Sequence, residues 1–73
     1  MTIEKIRNDI NDNIGHDVKI LHNEGRNKIY EYHGKVIEVY NKIFIIKDDD
    51  NDSKRSFSYC DVLTEVVKIS FKL

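Results

Sequence analysis

Asp48, Asp50 and Asp52 stand two residues apart in the run Asp48-Asp49-Asp50-Asn51-Asp52, the spacing of the first three ligands of an EF-hand calcium loop. The rest of such a loop is wrong in kind. Ser53 stands where a glycine makes the sharp turn, and Tyr59 stands where a bidentate glutamate closes the shell. The flanking segments also read as strands rather than helices, so the run is expected to be a solvated turn that keeps a hydrophobic strand pair soluble. His16, His22, His33 and Cys60 could supply zinc ligands, but no two of them have the close spacing of metal loops. Cys60 would need an orienting partner and a water-excluding pocket to act as a nucleophile, and no glycine-rich phosphate loop is present. No catalytic residue, metal or cofactor is therefore assigned. Cations and aromatics remain. Arg26 and Lys28 stand close to Tyr30 and Tyr32, and Lys19, Lys35, Lys54 and Arg55 add positive charge along the strands, while most acids fall in the N-terminal segment and in residues 48–52. Such a set can contact a phosphate backbone or stack a base, or it can meet a protein. The plainer reading is solubilising lysines over a core rich in tyrosine.

Those side chains need elements to hold them. Ile3, Ile6, Ile10 and Ile14 recur at steps of three and four, which predicts an amphipathic helix over residues 1–14 with Thr2 as its cap and Gly15 at its end. A helix that short is not stable alone in water, so its isoleucines are expected to pack on the rest of the protein. From residue 16 the period falls to two. Residues 17–22 read as a strand with Val18 and Ile20 on one face, and residues 23–27 as a hairpin loop in which Gly25 takes positive φ. Residues 28–40 read as a long strand whose alternation slips: Tyr30, Tyr32, Gly34 and Val36 share one parity, Ile37 and Val39 the other. A bulge within residues 34–38 absorbs the extra residue. In that register His22 faces Lys28 or Ile29 and His33 faces Val18, so the two histidines do not meet.

The unbroken run Ile43-Phe44-Ile45-Ile46 predicts a strand covered on both faces, one of them by the helix. Residues 55–60 and 65–71 alternate as two more strands, with Cys60 half-buried at the end of the first. Between them, residues 61–64 have the length of one 3₁₀ turn capped by Asp61. The sum is a mainly β fold: an SH3-like (Sm-like) small five-stranded barrel over residues 16–73, with an N-terminal α-helix and a 3₁₀ turn before the last strand. The lack of repeats, proline and linkers implies a single domain over residues 1–73.

A domain of 73 residues hides only ~60% of the surface of its unfolded chain, which leaves little room for a large active-site cavity. One cysteine cannot form an internal disulfide, and no stretch approaches the roughly 20 apolar residues of a membrane span, so a cytoplasmic protein with no membrane partner is expected. A net charge of −1 gives no overall pull toward nucleic acid, so any such binding must come from charge segregated on the surface.

Three phrases follow one another in a fixed order: Gly25-Arg26-Asn27-Lys28, then Tyr40-Asn41-Lys42-Ile43-Phe44, then Ser58-Tyr59-Cys60-Asp61-Val62-Leu63-Thr64. With them the chain resembles the Veg family, small cytoplasmic proteins of Gram-positive bacteria, from about Ile6 to Phe71. The resemblance implies a non-enzymatic regulator that promotes biofilm formation by interfering with a repressor of matrix genes. It implies in turn a protein partner met through the residues of the matching phrases, Arg26, Lys28, Tyr59 and Asp61. Tyr59 and Asp61 could equally hold the local turn together. Asn27 stands where relatives often carry a second basic residue, which weakens the charge of that loop. A small-barrel module that binds RNA or DNA is the alternative, and a homo-oligomer stays open.

Overall fold

In the computed structural model, which describes residues 2–71, a helix α1, Ile3–Asn11, leads into five strands. These are β1 Asp17–Asn23, β2 Ile29–Val39, β3 Ile43–Asp48, β4 Lys54–Ser58 and β5 Val67–Phe71, with a second helix α2, Tyr59–Leu63, between the last two. Thr2 caps α1 by accepting the Lys5 N–H at 3.1 Å, and Glu4 lies in the first turn, where the helix dipole favours an acid. Ile6 and Ile10 are buried as expected, but Ile3 and Ile14 are exposed. The helix stops at Asn11, earlier than the isoleucine spacing suggests, and residues 12–15 leave its axis as turns. The Gly15 N–H then donates to Val36 O at 2.7 Å, which ties the helix exit to β2.

The strands form one antiparallel sheet in the order β4-β3-β2-β1-β5. The expected slip in β2 is present as a register shift between Val36 and Glu38. The sheet curls so far that Phe57 of β4 meets His22 of β1, ring centroids 5.8 Å apart, although β3 and β2 lie between those strands. β4 and β5 are the two edges and do not pair, so the sheet is curled but open rather than a closed barrel. The pairing of Asn23 with Ile29 sets His22 opposite Tyr30 and His33 opposite Lys19, one to two residues from the expected partners; the histidines still do not meet.

Inward side chains of the sheet, among them Val18, Ile20, Val36, Phe44, Ile46 and Val67, make the core beneath Ile6 and Ile10. Two expectations fail here, the first because of where α1 docks. It packs mainly on α2 and β2, so β3 is covered on one face, with Phe44 and Ile46 buried and Ile43 exposed. The segment before β5 is a short α-helix rather than a 3₁₀ turn, and it begins at Tyr59. Ser58, not Asp61, is its cap: Ser58 Oγ accepts the Asp61 N–H at 3.1 Å. Cys60 is thereby moved off the strand onto α2, where it is exposed.

Candidate functional site

Arg26 and Lys28 occupy the exposed β1–β2 hairpin loop, residues 24–28. Gly25 has φ 94°, the left-handed region expected of it, and Arg26 and Asn27 follow with φ 46° and 65°. Three bonds brace the loop: Glu24 N–H to Lys28 O and Lys28 N–H to Gly25 O, each at 2.9 Å, and Gly25 N–H to Asn23 Oδ1, also at 2.9 Å. Two cations are thus presented to solvent on a short, internally bonded support.

Tyr59 and Asp61 are placed quite differently. Tyr59 is fully enclosed, stacked on Phe44 with centroids 5.6 Å apart, and its hydroxyl donates to Tyr40 O at 2.6 Å. Burial pushes its phenol pKa up. Asp61 is half-buried in the first turn of α2. Tyr59 fastens α2 beside the last residues of β2, and Asp61 bonds within its own turn, whereas Arg26 and Lys28 precede the first residue of β2, so the structure does not bring the four together. His33 pairs with Glu31 and His22 with Glu24, and among the described residues no group of three or more His, Cys, Asp or Glu side chains could hold a metal ion.

A cluster centred on Arg55 was not anticipated from the sequence. Asp48 belongs to β3 and is only 4% exposed, not part of a wet turn. Its Oδ1 accepts the Asp50 N–H at 2.9 Å and its Oδ2 accepts the Arg55 Nε–H at 3.0 Å. The Arg55 guanidinium in turn lies over the Tyr32 ring, 4.2 Å from its centroid, and Tyr32 tilts against Phe57. The signal was present in the parity: Asp48 alternates with Phe44 and Ile46, and Arg55 with Phe57, so both had to point inward. A shallow groove results, lined by His22, Glu24, Tyr32, Lys54, Arg55 and Phe57. It puts β4 beside the base of the hairpin that carries Arg26 and Lys28. On the outer face of the sheet Leu21, Ile29 and Val66 line a second, apolar hollow.

The Asp50 backbone donor first, and the Arg55 hydrogen bond second, hold the Asp48 carboxyl below the ordinary carboxylate range. A carboxyl with a lowered folded pKa stabilises the protein fully above its unfolded value, about 4, and that contribution drains away as the pH falls through the folded value. Thermal melts from neutral to acid pH are therefore expected to fall more steeply for the native protein than for Asp48→Asn. The variant is the less stable at pH 7, and the two curves converge in acid. Parallel curves would mean that Asp48 titrates as an ordinary surface carboxyl.

The arrangement offers charged and apolar hollows on a small rigid sheet, and among the described residues no helix is long and apolar enough to cross a membrane. No curated protein matches the chain. A family model described as biofilm formation stimulator VEG matches residues 1–70, which takes in α1, all five strands but the last residue of β5, and both the hairpin and α2 phrases. The chain therefore belongs to the VEG family of biofilm formation stimulators.

Proposed function

We propose that the protein is a non-enzymatic regulator of the cytoplasm that promotes biofilm formation by binding a protein partner, a repressor of matrix genes, and keeping it from acting. The family match over residues 1–70 is the observation that carries this reading. The geometry supports it: the core is filled by side chains, and what the surface offers is shallow hollows with charged or apolar rims, suited to the surface of another protein. The strand order, the bulged β2 and the meeting of Phe57 with His22 support reading the fold as an SH3-like (Sm-like) barrel left open between β4 and β5. Small folds of that kind act by presenting a rim or an edge.

The test is genetic and then biochemical. A matrix-gene reporter is expected to fall when the gene is deleted, to recover with the native chain, and to become indifferent to it once the repressor gene is also removed. An effect that persists without the repressor overturns the mechanism. The double variant Arg26→Ala, Lys28→Ala is expected to keep its melting temperature and fail to restore the reporter, because an arginine at an interface centre is worth roughly 2 kcal/mol, about 30-fold in affinity. Full recovery with that variant would move the partner surface away from the hairpin.

A further inference from the structure

The two main-chain bonds that end the β3–β4 pair are Asp48 N–H to Ser53 O at 2.8 Å and Tyr59 N–H to Lys42 O at 3.2 Å. Antiparallel pairing alternates between them, so Arg55 and Phe57 turn their backbone groups toward β3, while Lys54 and Ser56 turn theirs away from the sheet. Among the described residues no backbone group meets those outward N–H and C=O groups. Such an edge is a template for one more strand.

Its surroundings specify the chemistry of that strand. Lys54 stands on the edge itself with its side chain on the outer face, Arg55 next to it is held on the inner face by Asp48, and the groove beside them joins the hairpin that bears Arg26 and Lys28. The acids nearby are engaged: Asp48 holds Arg55 and the Asp50 N–H, and Glu24 lies 3.5 Å from His22. Resting on the regulatory reading above, we propose that the free edge of β4 takes up an extended acidic segment of the protein partner as an additional strand, its alternate carboxylates lying on the outer face beside Lys54 and its intervening side chains on the face of Arg55 and Phe57. A single-stranded nucleic acid fits less well, because the ring of Tyr32 is already covered by Arg55 and packed against Phe57. The β5 edge of a second copy fits less well too: it carries Lys68 and no acid within Val67–Phe71, so it would bring a like charge to Lys54.

Three labelled probes separate these occupants: a peptide alternating glutamate and valine, its lysine–valine counterpart, and a short oligothymidylate. Fluorescence anisotropy is expected to show binding of the acidic peptide that weakens with salt, and neither of the others competing with it. N-methylation of alternate backbone nitrogens, which leaves charge untouched, is expected to weaken the acidic peptide about tenfold or more. Bound peptide is expected to slow amide exchange at Lys54 and Ser56 and to leave Arg55 unchanged. Ser56→Pro removes an outward donor that the sheet does not use; proline is tolerated at such an edge position, so the variant is expected to melt like the native chain and to lose the peptide. Should that variant fail to fold, the N-methylated peptide still decides the matter on the native protein. Binding indifferent to N-methylation, tighter binding of oligothymidylate, or protection of Lys54 and Ser56 by self-association without peptide each overturns the proposal. The regulatory reading fails separately: a repressor captured equally by native and Ser56→Pro chains removes the edge and keeps the regulator, whereas a reporter that ignores the repressor removes the regulator and leaves the peptide data standing.

Discussion

Gly34→Ala is expected to lower the melting temperature by roughly 10 °C or more. Gly34 sits in β2 between two partners, Val18 of β1 and Asp48 of β3, at a point where the strands approach closely. A Cβ added there would lie 2.1 Å from Lys47 O, 2.9 Å from Lys47 C and 3.3 Å from Asp48 Cα. All three are backbone atoms of β3, so no side-chain rotation relieves the overlap; the strands must part. Overpacking of this kind costs about 1–3 kcal/mol and sometimes more, and a domain of 73 residues has a total stability of only about 4–11 kcal/mol. Propensity pulls the other way, since glycine within a strand is worse than alanine by roughly 0.5–1 kcal/mol. The sign of the measured change therefore decides which effect wins: a melting temperature equal to or above that of the native chain would show that β2 and β3 have slack. A lesser form of the same damage is expected at Asp48, because its Cα is among the displaced atoms and its carboxylate anchors Arg55.

Much of this architecture can be read from local pattern, and the parts that cannot share a cause. Val18 and Ile20 follow their parity into the core, and the parity slip of β2 marks its bulge. The family phrases are also local, and they identify the chain. By contrast, Ile43 to Ile46 reads the same whether one face or two is covered; only the docking site of α1 decides, and that is a long-range fact. Tyr59 shows the same limit from the other side. A five-residue helix is too short to display a period, so Ser58-Tyr59-Cys60-Asp61 could pass for a strand end although Ser58 stands three residues before Asp61, as a cap should. Asp48 was hidden by its neighbours in sequence: four further polar residues made the run look wet, while its strand parity pointed inward to Arg55. The groove along β4 depends on curvature. It exists because the sheet bends until Phe57 reaches His22, and curvature summed over four strands is written in no single one of them.

Ile10→Ala is expected to cost ~2–5 kcal/mol, the range for a large-to-small change at a buried site. Ile10 is 1% exposed and lies with Ile6 on the one face of α1 that meets α2 and β2. A nine-residue helix has too few turns to hold itself, so its helicity depends on that docking. Polar contacts do not replace it: the long-range ones on this helix run from Arg7 Nη1 to Asn41, at 3.1 Å to Oδ1 and 3.5 Å to O, both exposed. Truncating Ile10 should therefore lower both the melting temperature and the helical circular dichroism, with the sheet amides keeping their exchange protection longer than those of α1. Ile14→Ala is the matched control. It carries the same chemical change at a residue that the spacing places on the same helical face but that the early end of α1 leaves 44% exposed, and its effect should stay within about 0.5 kcal/mol. Equal losses at the two positions would mean that α1 runs on to Ile14 and docks with both side chains. A loss below about 0.5 kcal/mol at Ile10 would mean that the helix is not docked at all, and α2, which leans on α1, would then have to be held by Tyr59 and its bond to Tyr40 O.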